Sequence, residues 1–303
     1  MQLGRFLGVT GVLGGFGYWL WRYFEPQHSV LVLNGKVVVI TGASSGIGRE
    51  LALAFAQQGC RLVLAARGTD ALDSVRREVE PYAAEVVVVP TDIAQEEDIQ
   101  RLVQTALDSF GRIDVLVNNA GVTQSGFLHD QDRSRIRRMV EVNLTAPIRL
   151  TQEVLPHMLV HRQGYIVNIG SLASRLPTPL FSSYNATKSG LAGFSDSIRR
   201  ELKGTGIRVM LALPAWTRSD TSVLREEWQT GYHYLQFPVE TAEDVALEIV
   251  EALVRGEREI VFGGSGARWV LFLERHLPRA MNLYWRVVLG REWVVTSPRE
   301  QER

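Results

Sequence analysis

The stretch Val37-Val38-Val39-Ile40-Thr41-Gly42-Ala43-Ser44-Ser45-Gly46-Ile47-Gly48-Arg49-Glu50-Leu51 decides how the rest of the chain is read. Its first five residues are all β-branched and uninterrupted, the composition of a strand buried on both faces. Leu51, Phe55 and Ala56 then follow at helical spacing. Between strand and helix, Gly42 allows a tight turn, Gly46 lets the backbone approach a pyrophosphate, and Gly48 lets the helix lie close to the sheet. With Ser44, Ser45 and Ile47 completing the turn, the free N–H groups of the helix N-terminus face an anion. No Gly-Lys-Ser/Thr follows, which disfavours a nucleoside triphosphate loop.

Outward from this turn the same alternation recurs. Short apolar runs stand at Arg61–Ala65, Glu85–Pro90, Ile113–Asn118, Tyr165–Gly170, Ile207–Leu213 and Glu259–Phe262, separated by amphipathic stretches such as Ile99, Leu102, Val103, Ala106 and Phe110. The pattern predicts an α/β fold, a Rossmann-type doubly wound parallel sheet of about seven strands with helices on both faces. It occupies residues 35–265 without internal repeat, preceded by a hydrophobic segment at 1–34 and followed by a basic, aromatic extension at 266–303.

At the end of the second run, where a carboxylate would accept ribose hydroxyls, the chain reads Leu64-Ala65-Ala66-Arg67. A guanidinium there suits a 2′-phosphate, so NADP(H) is expected over NAD(H); the bland reading of Arg67 is a solvated loop residue. Arg49 either adds a second positive contact or lies on the helix surface. Lys+Arg and Asp+Glu both total 33, which leaves no net field to gather a nucleic acid. Cys60 is the only cysteine, so neither an intrachain disulfide nor a thiolate zinc cage can form, and none of the six histidines lies in an HExxH arrangement. No metal site is expected.

Tyr184-Asn185-Ala186-Thr187-Lys188 places a phenol and an ammonium one helical turn apart. Taken with Ser171 at the end of one strand run, Asn118-Asn119-Ala120-Gly121 after another, Asn143 on a helix and the glycine turn, in this order, the set resembles the short-chain dehydrogenase/reductase family over about Lys36 to Phe262. The resemblance implies that Tyr184 exchanges the proton at the substrate oxygen while a nicotinamide carries the hydride. A free phenol titrates near 10, and a neighbouring Lys188 ammonium lowers that value; the same lysine would hold the nicotinamide ribose. Ser171 would hydrogen-bond the substrate oxygen, and Asn143 would help order a water relay to the lysine. Asn118, Asn119, Ala120 and Gly121 match the turn below the adenosine ribose, and Asp92 the acid that caps the adenine amino group. After the sixth strand, Pro214, Thr217 and Ser219 match the residues around the carboxamide. The family's Pro-Gly is here Pro214-Ala215, which removes a glycine's freedom at positive φ. Trp216 faces cofactor or substrate, or is a core aromatic.

Trp228, Tyr232, Tyr234, Leu235 and Phe237 fall in the segment where this family sets specificity. They suggest an oily pocket and a hydrophobic small-molecule substrate, although a lid packed on itself has the same composition. From Leu3 to Phe24 the chain is nearly uncharged and ends in Tyr18, Trp19, Trp21, Tyr23 and Phe24. At about 1.5 Å per residue it could cross roughly 30 Å of hydrocarbon, and it reads as a membrane anchor; a cleaved signal peptide and a packed soluble helix are the rivals. Arg268 to Val295 interleaves apolar and aromatic residues with five arginines, suited to a bilayer interface or to closing a dimer or the substrate pocket. The expectation is a membrane-associated, NADP(H)-dependent enzyme interconverting a carbonyl and a secondary alcohol on a lipophilic substrate, with its catalytic domain cytoplasmic and self-associating. This layout also resembles that of ketosphinganine reductases and membrane-bound hydroxysteroid or retinol dehydrogenases. The opposing reading is an NADP(H)-binding sensor or scaffold that does not turn over.

Overall fold

The computed structural model describes residues 31–218 and 237–289. In chain order the elements are β1 (Val37–Thr41), α1 (Gly46–Gln57), β2 (Arg61–Ala66), α2 (Thr69–Val79), β3 (Glu85–Pro90), α3 (Glu96–Phe110), β4 (Val115–Asn118) and α4 (Arg133–Val140). A π-helical turn (Glu141–Thr145) joins α4 to α5 (Ala146–His161), followed by β5 (Gly164–Ile169), α6 (Ser182–Glu201), β6 (Ile207–Leu213) and β7 (Thr217–Arg218). Then come β8 (Glu240–Thr241), α7 (Ala242–Arg255), β9 (Glu259–Val261), α8 (Gly264–His276) and α9 (Pro278–Leu289).

Seven strands form one parallel sheet in the order β3-β2-β1-β4-β5-β6-β9. β1, β4 and β5 are buried at every position. Successive side chains on a strand leave opposite faces, so Val38 and Ile40 join Phe55, Leu62 and Leu64 on one side, whereas Val39 joins Val63, Ile99, Leu102 and Leu116 on the other. Two helical layers cover these faces, as the uninterrupted β-branched runs require.

On α3 the expected stripe is present. Ile99, Leu102, Val103 and Ala106 are buried, three acids occupy the first turn, and Gly111 ends the helix at φ +71°. The fourth strand starts two residues later than its apolar run. Asp114 is drawn out of the pattern because its carboxylate accepts from Val37 N (3.0 Å) and from the Lys36 and Arg112 side chains. Leu31 and Leu33 are buried with the core, so packing begins ahead of residue 35.

α8 and α9 pack on the carboxyl end of the sheet through Ala267 and Met281, which share a cluster with Leu172 and Leu176. β7 and β8 pair in parallel, Thr217 beside Glu240, at the two ends of residues 219–236. The expected anchor at 3–24, Ser219 and most of the aromatic lid lie outside the described residues. No described helix is long and apolar enough to cross a membrane.

Candidate active site

From β1 the chain builds outward to β2 and β3, then returns to lay β4 on the other side of β1. Loops leaving β1 and β4 therefore diverge, and a crevice opens at their carboxyl ends, where sheets of this kind bind ligands. A cleft of about 1000 Å³ lies there.

Its floor is the glycine turn. Gly42 (φ +65°) and Gly46 (φ +53°) adopt the left-handed conformation that favours glycine. A Cβ on Gly48 would stand 2.1 Å from the Gly42 carbonyl oxygen and 2.4 Å from Asn119 Nδ2. Gly48 thus makes room for the turn and the neighbouring β4 loop, a more specific demand than the helix-sheet approach expected of it. Asn119 Nδ2 donates to the carbonyls of Thr41 (2.9 Å) and Gly42 (3.2 Å), while the Thr41 hydroxyl accepts from Asn119 N (3.0 Å) and Ala120 N (3.1 Å). These bonds lock the two loops together. Ser44, Ser45 and Ile47 line the cleft beside Gly42 and Gly46, with Asn119, Ala120 and Gly121 opposite.

Arg67 and Asp92 stand at one end of the cleft. Arg67 is exposed and makes no ion pair among the described residues. Asp92 Oδ1 accepts from Arg138 Nη2 (2.6 Å) and Ala94 N (3.1 Å). Burial pushes the Asp92 carboxyl upward, but those two bonds and the charges of Arg138 and Arg67 prevail and hold it below its ordinary value. Arg49 is engaged elsewhere: its guanidinium pairs with both Glu78 oxygens (2.9 and 2.6 Å) and with Glu50, so it belongs to the helix surface.

Ser171, Tyr184 and Lys188 come together at the other end. Ser171 follows β5 and caps a short helical turn, its Oγ accepting from Ala173 N (3.2 Å). Its O–H remains available to donate. Lys188 Nζ lies 5.9 Å from the Tyr184 ring centroid and donates to the Ile169 carbonyl (2.8 Å). Burial pulls this ammonium down to about 8. Gly121 lies beside both groups, since a Cβ on it would make ordinary contact with Lys188 Nζ (3.7 Å) and Asn143 Oδ1 (3.5 Å).

Asn143 occupies the π-helical turn and is fully buried. Turns of this kind recur at functional sites because the extra residue re-aims a side chain. Asn143 Oδ1 accepts from Val122 N and its Nδ2 donates to Val122 O, both at 2.8 Å, with a further contact to Thr187 Oγ1 (3.2 Å). Its side chain clamps the β4 loop against α6, the helix that carries Tyr184 and Lys188, and does not itself line the cleft. Asn118 points away as well, donating to Asn168 (2.8 Å) in a buried network that continues to Ser195.

Pro214 and Thr217 line the cleft near Ala215. Only Arg162 and Leu180 among the described non-glycine residues have positive φ, so Ala215 carries none of the strain that its replacement of glycine suggested. Trp216 borders the cleft, its ring edge-on to Phe181 at 6.1 Å.

Gln131 was invisible in the sequence. Buried, it donates to the carbonyls of Gly126 (2.9 Å) and Leu180 (3.4 Å) and accepts from the Ser183 hydroxyl beside Tyr184. Together with Gly126 N, which donates to the same Leu180 carbonyl (2.9 Å), it braces Leu180 at φ +67°, a conformation unfavourable for a branched side chain. Arg138 was missed too, because its partner lies 46 residues away.

The short chain dehydrogenase family pattern matches residues 36–230. A dehydrogenase/reductase SDR family protein 7-like from Anopheles gambiae is 34% identical over 277 residues, 88% of this chain and 86% of that protein. An 11-beta-hydroxysteroid dehydrogenase from Pinus massoniana is 33% identical, with 88% of this chain and 78% of that one covered. Among solved structures, a short chain dehydrogenase/reductase from Burkholderia phymatum in complex with NAD superposes with a TM-score of 0.74 at 26% identity, covering 83% of this chain and 96% of that one. A metagenomic short-chain oxidoreductase in complex with NADP gives 0.64 at 31% identity, covering 77% and 98%. Extent of match, sheet order and the gathered serine, tyrosine and lysine agree: the chain belongs to the short-chain dehydrogenases, oxidoreductases of alcohol and carbonyl groups.

Proposed function

We propose that this protein is an NADP(H)-dependent, membrane-associated oxidoreductase that interconverts a ketone and a secondary alcohol on a lipophilic substrate. The observation that carries the reading is one continuous cleft. Its polar end is built from the glycine turn and Arg67, and its other end places Ser171 and Tyr184 against Leu172, Leu176, Phe181 and Trp216.

The residues fit a dinucleotide. Side chains are excluded at Gly42 and Gly48 by contacts under 3 Å with the turn itself and with the Asn119–Ala120 loop, which holds the turn in the shape that presents Gly42, Ser44, Ser45 and Gly46 to the cleft. At the adenosine end Arg138 is paired with Asp92, whereas Arg67 makes no ion pair among the described residues and can meet a 2′-phosphate. A bound nicotinamide dinucleotide supplies or accepts the hydride.

In reduction, Ser171 donates a hydrogen bond to the substrate oxygen and Tyr184 delivers the proton there as negative charge develops. Lys188, positively charged beside the ring, stabilises the resulting phenolate. Asn143 acts through position: by holding Val122 at both its N–H and C=O and contacting Thr187, it fixes the loop after β4 to the helix that carries Lys188.

The test is NADPH oxidation against a panel of lipophilic ketones. Tyr184→Phe should retain NADPH binding and lose about a hundredfold or more of ketone-dependent turnover. Arg67→Ala should lower NADPH affinity by about tenfold to a hundredfold, with NADH affected little. A parent protein that binds NADPH but turns over no ketone would make it a sensor; equal effects of Arg67→Ala on both cofactors would remove the NADP(H) preference.

A further inference from the structure

Residues 264–289 carry arginines at 268, 275, 279 and 286 against a single acid, Glu274, in a chain whose overall charge is zero. All four arginines are exposed, whereas Glu274 is half-buried with Oε2 shielded from solvent. Mixed among them on the outer surface of α8 and α9 are Trp269 (65% exposed), Phe272 (50%), Leu277 (52%), Leu283 (62%) and Val287 (72%). The inner surface is satisfied separately through Ala267 and Met281. Trp269 and Phe272 stand one turn apart with rings in edge contact at 5.9 Å, and Leu283 and Val287 are likewise one turn apart. Large apolar side chains left in water beside arginines are costly for a surface facing only solvent, and suit the boundary between headgroups and acyl chains.

We propose that the α8–α9 hairpin is a docking face for an anionic lipid bilayer, and that it sets the apolar end of the cleft against the membrane. The charge decides the occupant. A second copy meeting this face symmetrically would bring four arginines against four with no exposed acid on the hairpin to answer them, whereas acidic headgroups neutralise each one. The hairpin is also continuous with the site: Leu172 and Leu176 line the cleft and pack in the same cluster as Ala267 and Met281. A substrate dissolved in the bilayer thus reaches Ser171 and Tyr184 along an apolar wall. The inference deepens the lipophilic-substrate reading, but lipid contact can be measured without turnover, so either can fail alone.

The test uses the full chain reconstituted in vesicles of phosphatidylcholine, with or without phosphatidylserine, in which the phosphatidylcholine carries brominated acyl chains. Parent fluorescence minus that of Trp269→Phe isolates Trp269 from the other tryptophans. The expected result is quenching of Trp269 that increases with phosphatidylserine and weakens with salt. Replacing Arg268, Arg275, Arg279 and Arg286 by Gln should abolish the phosphatidylserine dependence while leaving turnover of a small water-soluble ketone unchanged. Absence of Trp269 quenching in both lipids would overturn the proposal. So would Trp269 becoming shielded in lipid-free detergent as protein concentration rises, which would assign the face to a second copy. If quenching is seen but no ketone is reduced, the docking stands and the enzymatic reading falls.

Discussion

The role proposed for Lys188 comes at a measurable cost to the fold. Its ammonium is buried, and the displacement from an ordinary 10.5 to about 8 corresponds to about 3 kcal/mol of destabilisation when both folded and unfolded chains hold the proton. The sign follows from the order of the two values. Below about 8 the folded state carries the full penalty. Between that value and the unfolded 10.5 the folded lysine has shed its proton while the unfolded one retains it, so the penalty fades and stability from this group rises with pH. Lys188→Met removes the charge and keeps the stem. The bond to the Ile169 carbonyl is lost as well, at a cost that does not change with pH. Both chains should carry Tyr184→Phe, so that no phenolate recharges the lysine. In urea titrations of cofactor-free protein, the stability of the Met variant minus that of its Lys188 parent should fall by about 2–3 kcal/mol from pH 7 to pH 10. Cys60, whose thiol burial and the Asp114 charge push up to about 12, titrates alike in both chains and cancels. A difference that stays flat or rises over this range would refute the claim that burial of a cation dominates here.

Three further outcomes follow from the geometry. Gly48→Ala places a methyl group against backbone, 2.1 Å from the Gly42 oxygen, and should cost about 1–3 kcal/mol in unfolding titrations together with dinucleotide binding measured by fluorescence. Gln131→Ala removes a side-chain donor from the Gly126 and Leu180 carbonyls, the second of which keeps its bond from Gly126 N, and should lower kcat by about tenfold to a hundredfold through misplacement of the helix carrying Tyr184, with NADPH affinity retained; Gln131→Glu, which keeps only the acceptor, should fall in the same direction. Ala215→Gly, at a position with no positive φ to relieve, should leave kcat unchanged and cost about 0.4–1 kcal/mol through the freer unfolded chain, read as a small drop in Tm.

What the sequence disclosed divides along physical lines. The sheet was legible because parallel strands covered on both faces need unbroken apolar runs, and Val37–Thr41 and Ile207–Leu213 have the expected bounds. That Ser171, Tyr184 and Lys188 gather in one cleft was legible through the family resemblance, whose motif singles out residue types able to donate, titrate and carry charge at a reacting oxygen. Gln131, Arg138 and the clamp made by Asn143 belong to another class. Each is an ordinary residue whose part is set by what it faces, at a separation of 52 residues for Gln131 and Ser183, 46 for Arg138 and Asp92, and 21 for Asn143 and Val122. No local pattern encodes such pairings.

Asp92 shows how this limits a residue-by-residue reading. On the family resemblance alone, the carboxylate that follows β3 would cap the adenine, and its negative charge would weigh against a 2′-phosphate. In the fold, Arg138 arrives from α4 and takes up one of its oxygens at 2.6 Å, so the acid and its partner are neutral together. On the proposed reading, Oδ2 is left to accept an adenine amino hydrogen and Arg67 to meet the phosphate. Base recognition and phosphate recognition would on that proposal fall to separate groups in one small region, and the group that separates them is an arginine whose sequence neighbours, Arg135 and Arg137 among them, give no reason to single it out.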